Sequence, residues 1–176
     1  MNPVRKITIL LTQYPTTMAA VLRHLTDFPY THTSIGLEED RNTFYSFAKK
    51  GFIVEKVTRY NKPGRVPFPC ELYEIPVNEH TYQRVKKLLA EYTARKEELR
   101  YTHRSMLLSL LLYVPLQLKD RYFCSHFVAE VLQRSRVLQA EKHCTLYLPK
   151  DFPKLPGAKR IFKGDLAGLS RKYQLA

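Results

Sequence analysis

The stretch Tyr122-Phe-Cys-Ser-His-Phe-Val-Ala-Glu-Val-Leu132 decides how this chain is read. Counted from Cys124, the apolar residues Phe127, Val128, Val131 and Leu132 fall at +3, +4, +7 and +8. That spacing is one face of a helix, and Cys124 lies on it. Asp120, ahead of the apolar run, is the expected N-cap. A thiol in the first turn sits beside free backbone N–H groups and the positive end of the helix dipole. Both stabilise a thiolate and so lower the thiol pKa. A free cysteine on an apolar face is also an ordinary small core residue, so the helix alone leaves both roles open.

Working outward, the 176 residues suffice for one domain with a real core, spanning 1–176. Apolar residues make up 44% of the chain, which marks it as globular and not disordered. The net charge of +13 suits an anionic partner or surface. No zinc finger or aromatic-rich RNA-binding signature accompanies it, so nucleic acid is not expected as a partner. The three cysteines, Cys70, Cys124 and Cys144, have no paired spacing, which points to a reducing compartment, the cytoplasm. Neither C-x-x-C nor H-E-x-x-H occurs, so no metal and no cofactor is expected. The first residues lack the pattern of a secretory signal. The most apolar run, residues 106–118, is broken by Ser109, Pro115 and Gln117 and is too short to span a bilayer.

In chain order, residues 6–12 (KITILLT) read as a buried strand. Thr16 or Thr17 caps a helix to about Asp27, with Met18, Val21, Leu22 and Leu25 on its inner face. Residues 31–37 form a second strand, whose alternation puts His32, Ser34 and Gly36 on one side and Thr33, Ile35 and Leu37 on the other. Residues 43–48 return antiparallel, and residues 52–57 add a further strand. The proline-rich residues 60–69 make a loop, and residues 71–77 a strand that Pro76 consigns to an edge or an ending. Asn78 caps a long helix with Tyr82, Val85, Leu88, Leu89 and Tyr92 inside. Residues 106–113 are apolar all round: a buried helix, a lid or an interfacial piece. The tail from Leu146 is expected to wrap the surface. The class is α+β, an antiparallel sheet with helices segregated beside it.

A cysteine nucleophile needs a base within hydrogen-bond reach and a third group to orient that base. His126 lies about 200° around the helix from Cys124 and faces away. His24 and His80 have surface explanations, and His103 precedes the apolar run. His143 stands next to Cys144, but no element positions the two. His32 is in a strand beside the small residues Ser34 and Gly36, which let a helix end come close.

Together, Tyr30-Thr-His-Thr-Ser-Ile-Gly-Leu37, Phe44-Tyr-Ser-Phe47, the Cys124 helix and the ending at 148–152 and 162–166 resemble one family. It is the circularly permuted papain-like superfamily of NlpC-type amidases and lecithin:retinol acyltransferase-like enzymes, in which the His strand precedes the Cys helix. The resemblance implies Cys124 as nucleophile, His32 as base and the Cys124 backbone N–H as an oxyanion donor. The family's orienting position matches Ser46, which has no charge to stabilise an imidazolium. Glu55, one strand further on, is the alternative. The implied activity is a cysteine hydrolase or acyltransferase cleaving an amide or ester bond through an acyl-cysteine. Its substrate would be a small molecule or peptide, cell-wall-derived or a lipid acyl compound. Two rivals follow: a binding module of the same fold with a weakened triad, and a protein that contacts anionic membrane surfaces through residues 106–118.

Overall fold

The computed structural model describes residues 4–15, 17–60, 68–102, 104–139 and 141–174. Its frame is a sheet of six strands: β1 (Val4–Thr12), β2 (His32–Leu37), β3 (Asp40–Ala48), β4 (Gly51–Lys56), β5 (Pro69–Asn78) and β8 (Lys159–Asp165). Between the last two, β6 (Arg100–Tyr101) and β7 (Arg121–Tyr122) form a separate parallel pair. The sheet order is β4-β3-β2-β1-β5-β8, and every neighbouring pair in it is antiparallel. The helices are α1 (Thr17–Thr26), α2 (Glu79–Ala94), α3 (Arg104–Leu112), α4 (Cys124–Arg134) and α5 (Leu166–Gln174). Among the described residues, no helix is long and apolar enough to cross a membrane.

Strand alternation splits the sheet into two buried faces. Ile7, Ile9 and Leu11 of β1 join Ile35, Phe47, Tyr73 and Ile75 in the larger core, under α2 and α4. Leu10, Phe44, Cys70 and Leu72 point the other way and meet Leu166 and Leu169 of α5. With both faces covered, β1 is buried from Ile7 to Thr12, which is why that part reads as a continuous apolar run. Asn78 caps α2 as the sequence requires: its side chain accepts from Thr81 N at 2.8 Å. The inner stripe Tyr82, Val85, Leu88, Leu89 and Tyr92 is buried. Pro76 lies past the last β5–β8 pair, Glu74↔Lys159, where the outer edge of β5 has no partner strand.

Four expectations are corrected. The tail does not simply wrap the surface; β8 extends the sheet beyond β5, and α5 covers its second face. A run of mixed Lys, Gly and Phe carries little alternation, so this edge strand leaves almost no periodic signal. On α1, Val21 and Leu25 face solvent, whereas Leu22 and Thr26 turn towards a cleft beside Cys124; the Met18 side chain lies outside the described residues. Of the three readings of residues 106–113, the buried helix is excluded: Leu111 of α3 is 61% and Tyr113, just past it, 71% exposed. Finally, Asp120 is not the N-cap of α4. It adopts a φ of 53° and accepts a hydrogen bond from Arg95 Nη2 at 2.7 Å, while Phe123 takes the cap position without a side-chain bond. The Thr16 cap, most of the 60–69 loop and His103 lie outside the described residues.

Gly36 is small for a different reason from the one its face suggests. A Cβ there would stand 2.7 Å from Thr8 Oγ1 and 2.9 Å from the Phe44 ring, so the space serves Phe44 and not a helix end. Gly36→Ala should therefore cost about 1–3 kcal/mol through overpacking of this face. Urea denaturation would measure it; a loss under about 0.5 kcal/mol would mean that the Phe44 ring moves aside freely.

Candidate functional site

Helix α4 lies on the larger core by Phe127, Val128, Val131 and Leu132, all buried. That packing brings its first residue to the end of β2. Pairing of β2 with β3 runs only from Leu37 to Ile35↔Tyr45. Beyond it, side chains take over the backbone edge of β2. Ser46 Oγ donates to Thr33 O at 2.6 Å. Cys124 Sγ reaches Thr31 O at 3.9 Å, and the Thr33 N–H points at the sulfur.

His32, the first residue of β2, is buried beside Cys124, and its Nε2 makes no hydrogen bond. Its Nε2 stands 3.7 Å from Glu55 Oε1, a charge contact longer than a hydrogen bond. Glu55 is itself held: Tyr14 OH donates to Oε1 at 2.9 Å and Ser34 Oγ to Oε2 at 3.3 Å. The Tyr14 ring meets the imidazole edge-on at 4.9 Å between centroids. The structure thus brings together Cys124, His32 and Glu55. It does not bring Ser46 to the imidazole, because that hydroxyl is engaged by the Thr33 carbonyl. Of the two residues weighed for the third position, Glu55 holds the charge and the contact.

The electrostatics follow from these neighbours. Burial alone would lower the pKa of His32, but the Cys124 sulfur and the Glu55 carboxylate outweigh it and raise the value to about 10. Burial would raise the Cys124 pKa. The His32 imidazole and the Thr33 and Ser125 N–H groups reverse this and bring it below 9.0. Glu55, opposed by burial but facing His32 and bonded by Tyr14 and Ser34, is also lowered. Both shifts favour the thiolate–imidazolium form of the pair, with a carboxylate behind the imidazole. Cys70 and Cys144 contrast with it: burial pushes them up to about 12 and about 11. All three cysteines are free.

Phe123 caps α4 without a side-chain bond, so the first-turn N–H groups beside the sulfur remain available as donors. The pair β6–β7 delivers the chain to this point and sets Tyr101 beside the thiol. Burial, then the Cys124 charge, keeps the Tyr101 hydroxyl protonated. A narrow cleft runs past the sulfur between Leu22, Thr26, Tyr30, Met106, Leu148 and Pro149. Its lining is mostly apolar. Tyr14, Ser34 and Tyr101 were not singled out from sequence. Tyr14 follows the first strand at a proline break, and Ser34 shares the His32 face; Tyr101 has no comparable signal.

The other histidines lie elsewhere. His24 and His80 are exposed. His126 turns away from Cys124, as its angle requires, and stacks on Tyr122. His143 and Cys144 do have a positioning element, a short turn at Cys144–Leu146. Compared with known protein families and with curated proteins, the chain matches none.

Iodoacetamide should label Cys124 rapidly at neutral pH, with little dependence on pH until acid protonates the thiolate. Cys70 and Cys144 should respond only as pH climbs towards about 12 and about 11. Labelling rates against pH, mapped by mass spectrometry, would check this; a Cys124 rate proportional to hydroxide between about pH 7 and 9 would contradict it. Stability carries the matching sign for His32. Its raised pKa stabilises the fold fully below the unfolded value of 6.5, and that contribution is lost as pH rises through about 10.

Proposed function

We propose that this chain is a cysteine hydrolase or acyltransferase with a circularly permuted papain-like topology, acting on an amide or ester bond. The observation that carries the reading is the line Cys124–His32–Glu55, with the sulfur at the start of α4 and first-turn N–H groups beside it. The His strand precedes the Cys helix in the chain, as in the family the sequence resembles.

The Cys124 thiolate attacks the carbonyl carbon, and the carbonyl electron pair moves to oxygen, which the N–H groups of the first turn of α4 stabilise. His32 gives its proton to the departing nitrogen or oxygen as the scissile bond breaks, leaving an acyl-thioester. It then takes a proton from water, or from an acceptor alcohol or amine, as that group attacks. The acid or transferred product leaves, and the thiolate returns. Glu55 holds the imidazole in place and stabilises its positive form. Tyr14 and Ser34 fix Glu55, and so position the base through another group.

The cleft is narrow and mainly apolar, which favours a small acyl or peptide substrate over a folded protein. A lipid acyl substrate draws support from one further observation. Leu108, Leu111, Leu112, Tyr113, Val114 and Leu118 are all exposed, in the segment that follows Met106 of the cleft. With a net charge of +13, such a rim suits an anionic membrane surface. Three free thiols suit a reducing compartment such as the cytoplasm.

An activated ester or amide probe should acylate Cys124, giving a thioester located by mass spectrometry. Glu55→Gln should reduce turnover by about 10²–10⁴-fold, whereas Ser46→Ala should stay within about tenfold, because Ser46 bonds only backbone. Probe binding that raises the melting temperature with no adduct at Cys124 would favour the binding module instead. Flotation on vesicles containing anionic lipid, lost at high salt and reduced by Leu111→Glu, is the expected outcome for the membrane contact. No flotation at low salt would remove it.

A further inference from the structure

Helix α4 carries a second cluster of ligand-bearing side chains on the flank turned away from Cys124. His126 and Glu130 stand one turn apart, and Cys144 approaches them from the turn Cys144–Leu146. One ligand atom from each of the three lies within 4.8 Å of the other two. His126 Nε2 and Glu130 Oε2 are buried and 3.4 Å apart, an ion-pair contact, and neither atom makes a hydrogen bond to any other group. The rest of Glu130 is accounted for. Tyr92 OH donates to Oε1 at 2.6 Å, and Arg134 Nη1 lies 3.6 Å from the same oxygen. So one oxygen is held from outside while the other is turned inward, towards the imidazole. Tyr122, stacked on His126 at 4.8 Å, fixes that ring. A cation placed between these two atoms and the Cys144 sulfur would satisfy all three at once.

We propose that His126, Glu130 and Cys144 bind a zinc ion. An imidazole nitrogen, a carboxylate oxygen and a thiolate sulfur are the donors that zinc takes. Ligand atoms about 2.0–2.3 Å from a tetrahedral zinc stand about 3.3–3.7 Å from one another. The His126–Glu130 pair already has that separation, at 3.4 Å. A small inward movement of the Cys144 turn completes three protein ligands, and water takes the fourth position. His143 lies outside the group: its Nδ1 accepts from the Thr145 N–H at 3.3 Å, meets Thr145 Oγ1 at 2.9 Å and lies 3.9 Å from Cys144 Sγ. As the zinc–sulfur bond forms, the Cys144 thiol proton passes to solvent. The ion ties the 144–146 turn to α4. Leu148 and Pro149, which follow that turn, line the cleft beside Cys124, so the metal braces one cleft wall against the nucleophile helix. The site is independent of whatever chemistry Cys124 performs.

The test uses the purified full chain, stripped with a chelator and given zinc or cobalt(II) alone. About one zinc per chain should bind in competition with a chromophoric chelator, and cobalt should give a thiolate charge-transfer band. Both should survive when Cys124 is blocked, by prior alkylation or as Cys124→Ala. Cys144→Ala and His126→Gln should abolish both. Without any variant, zinc should slow alkylation of Cys144 by roughly tenfold or more at alkaline pH and leave Cys70 unchanged. Absence of the thiolate–cobalt band would overturn the proposal. So would its loss on blocking Cys124, or zinc protection confined to Cys124. If Cys144→Ala fails to fold, the cobalt spectrum of the Cys124-blocked wild type decides.

Discussion

Everything at the candidate site depends on one packing contact, the apolar stripe of α4 seated on the sheet. Phe127, Val128, Val131 and Leu132 bury themselves over β2 and β3, and that fixes where the helix begins. It begins against an open stretch of β2 backbone, where β3 has already parted from its neighbour. A helix start with no side-chain cap and a strand edge with no partner strand would each leave polar groups unsatisfied. Here the sulfur of Cys124 faces the Thr33 N–H and the hydroxyl of Ser46 donates to the Thr33 carbonyl. The site is thus made from backbone groups that ordinary secondary structure would have consumed.

The same arrangement explains how a charged imidazole survives burial. Removing a histidine from water favours its neutral form. His32 keeps its proton because anions flank it, a sulfur from α4 and a carboxylate from β4. Removing either would leave the remaining pair less balanced, which is why Tyr14 and Ser34, acting only on Glu55, matter to a sulfur they do not bond.

Much of this was legible in the sequence where side-chain period and element type agree. The α4 stripe, the α2 stripe with its Asn78 cap and the two faces of β2 follow from periodicity alone. Three features were hidden. The α1 stripe is amphipathic but borders a cleft, so its apolar residues Val21 and Leu25 end in solvent. The partner of His32 could not be chosen by alternation, since Ser46 and Glu55 both face its side of the sheet. Reach decides: a serine hydroxyl meets the nearest carbonyl, whereas a glutamate crosses the intervening strand over the small residues 34 and 46. The cluster of His126, Glu130 and Cys144 joins a helix to a turn that carries no regular period, and only the folded chain brings them within 4.8 Å.

His32 and Glu55 come from the first third of the chain, and Cys124 comes about ninety residues after His32. On the ribosome the imidazole and its carboxylate therefore emerge well before the Cys124 thiol. Until α4 docks, the sulfur has no imidazolium beside it and behaves as an ordinary, sluggish thiol. The nascent chain is chemically quiet, and quenched-flow labelling of Cys124 during refolding would time the docking of one helix.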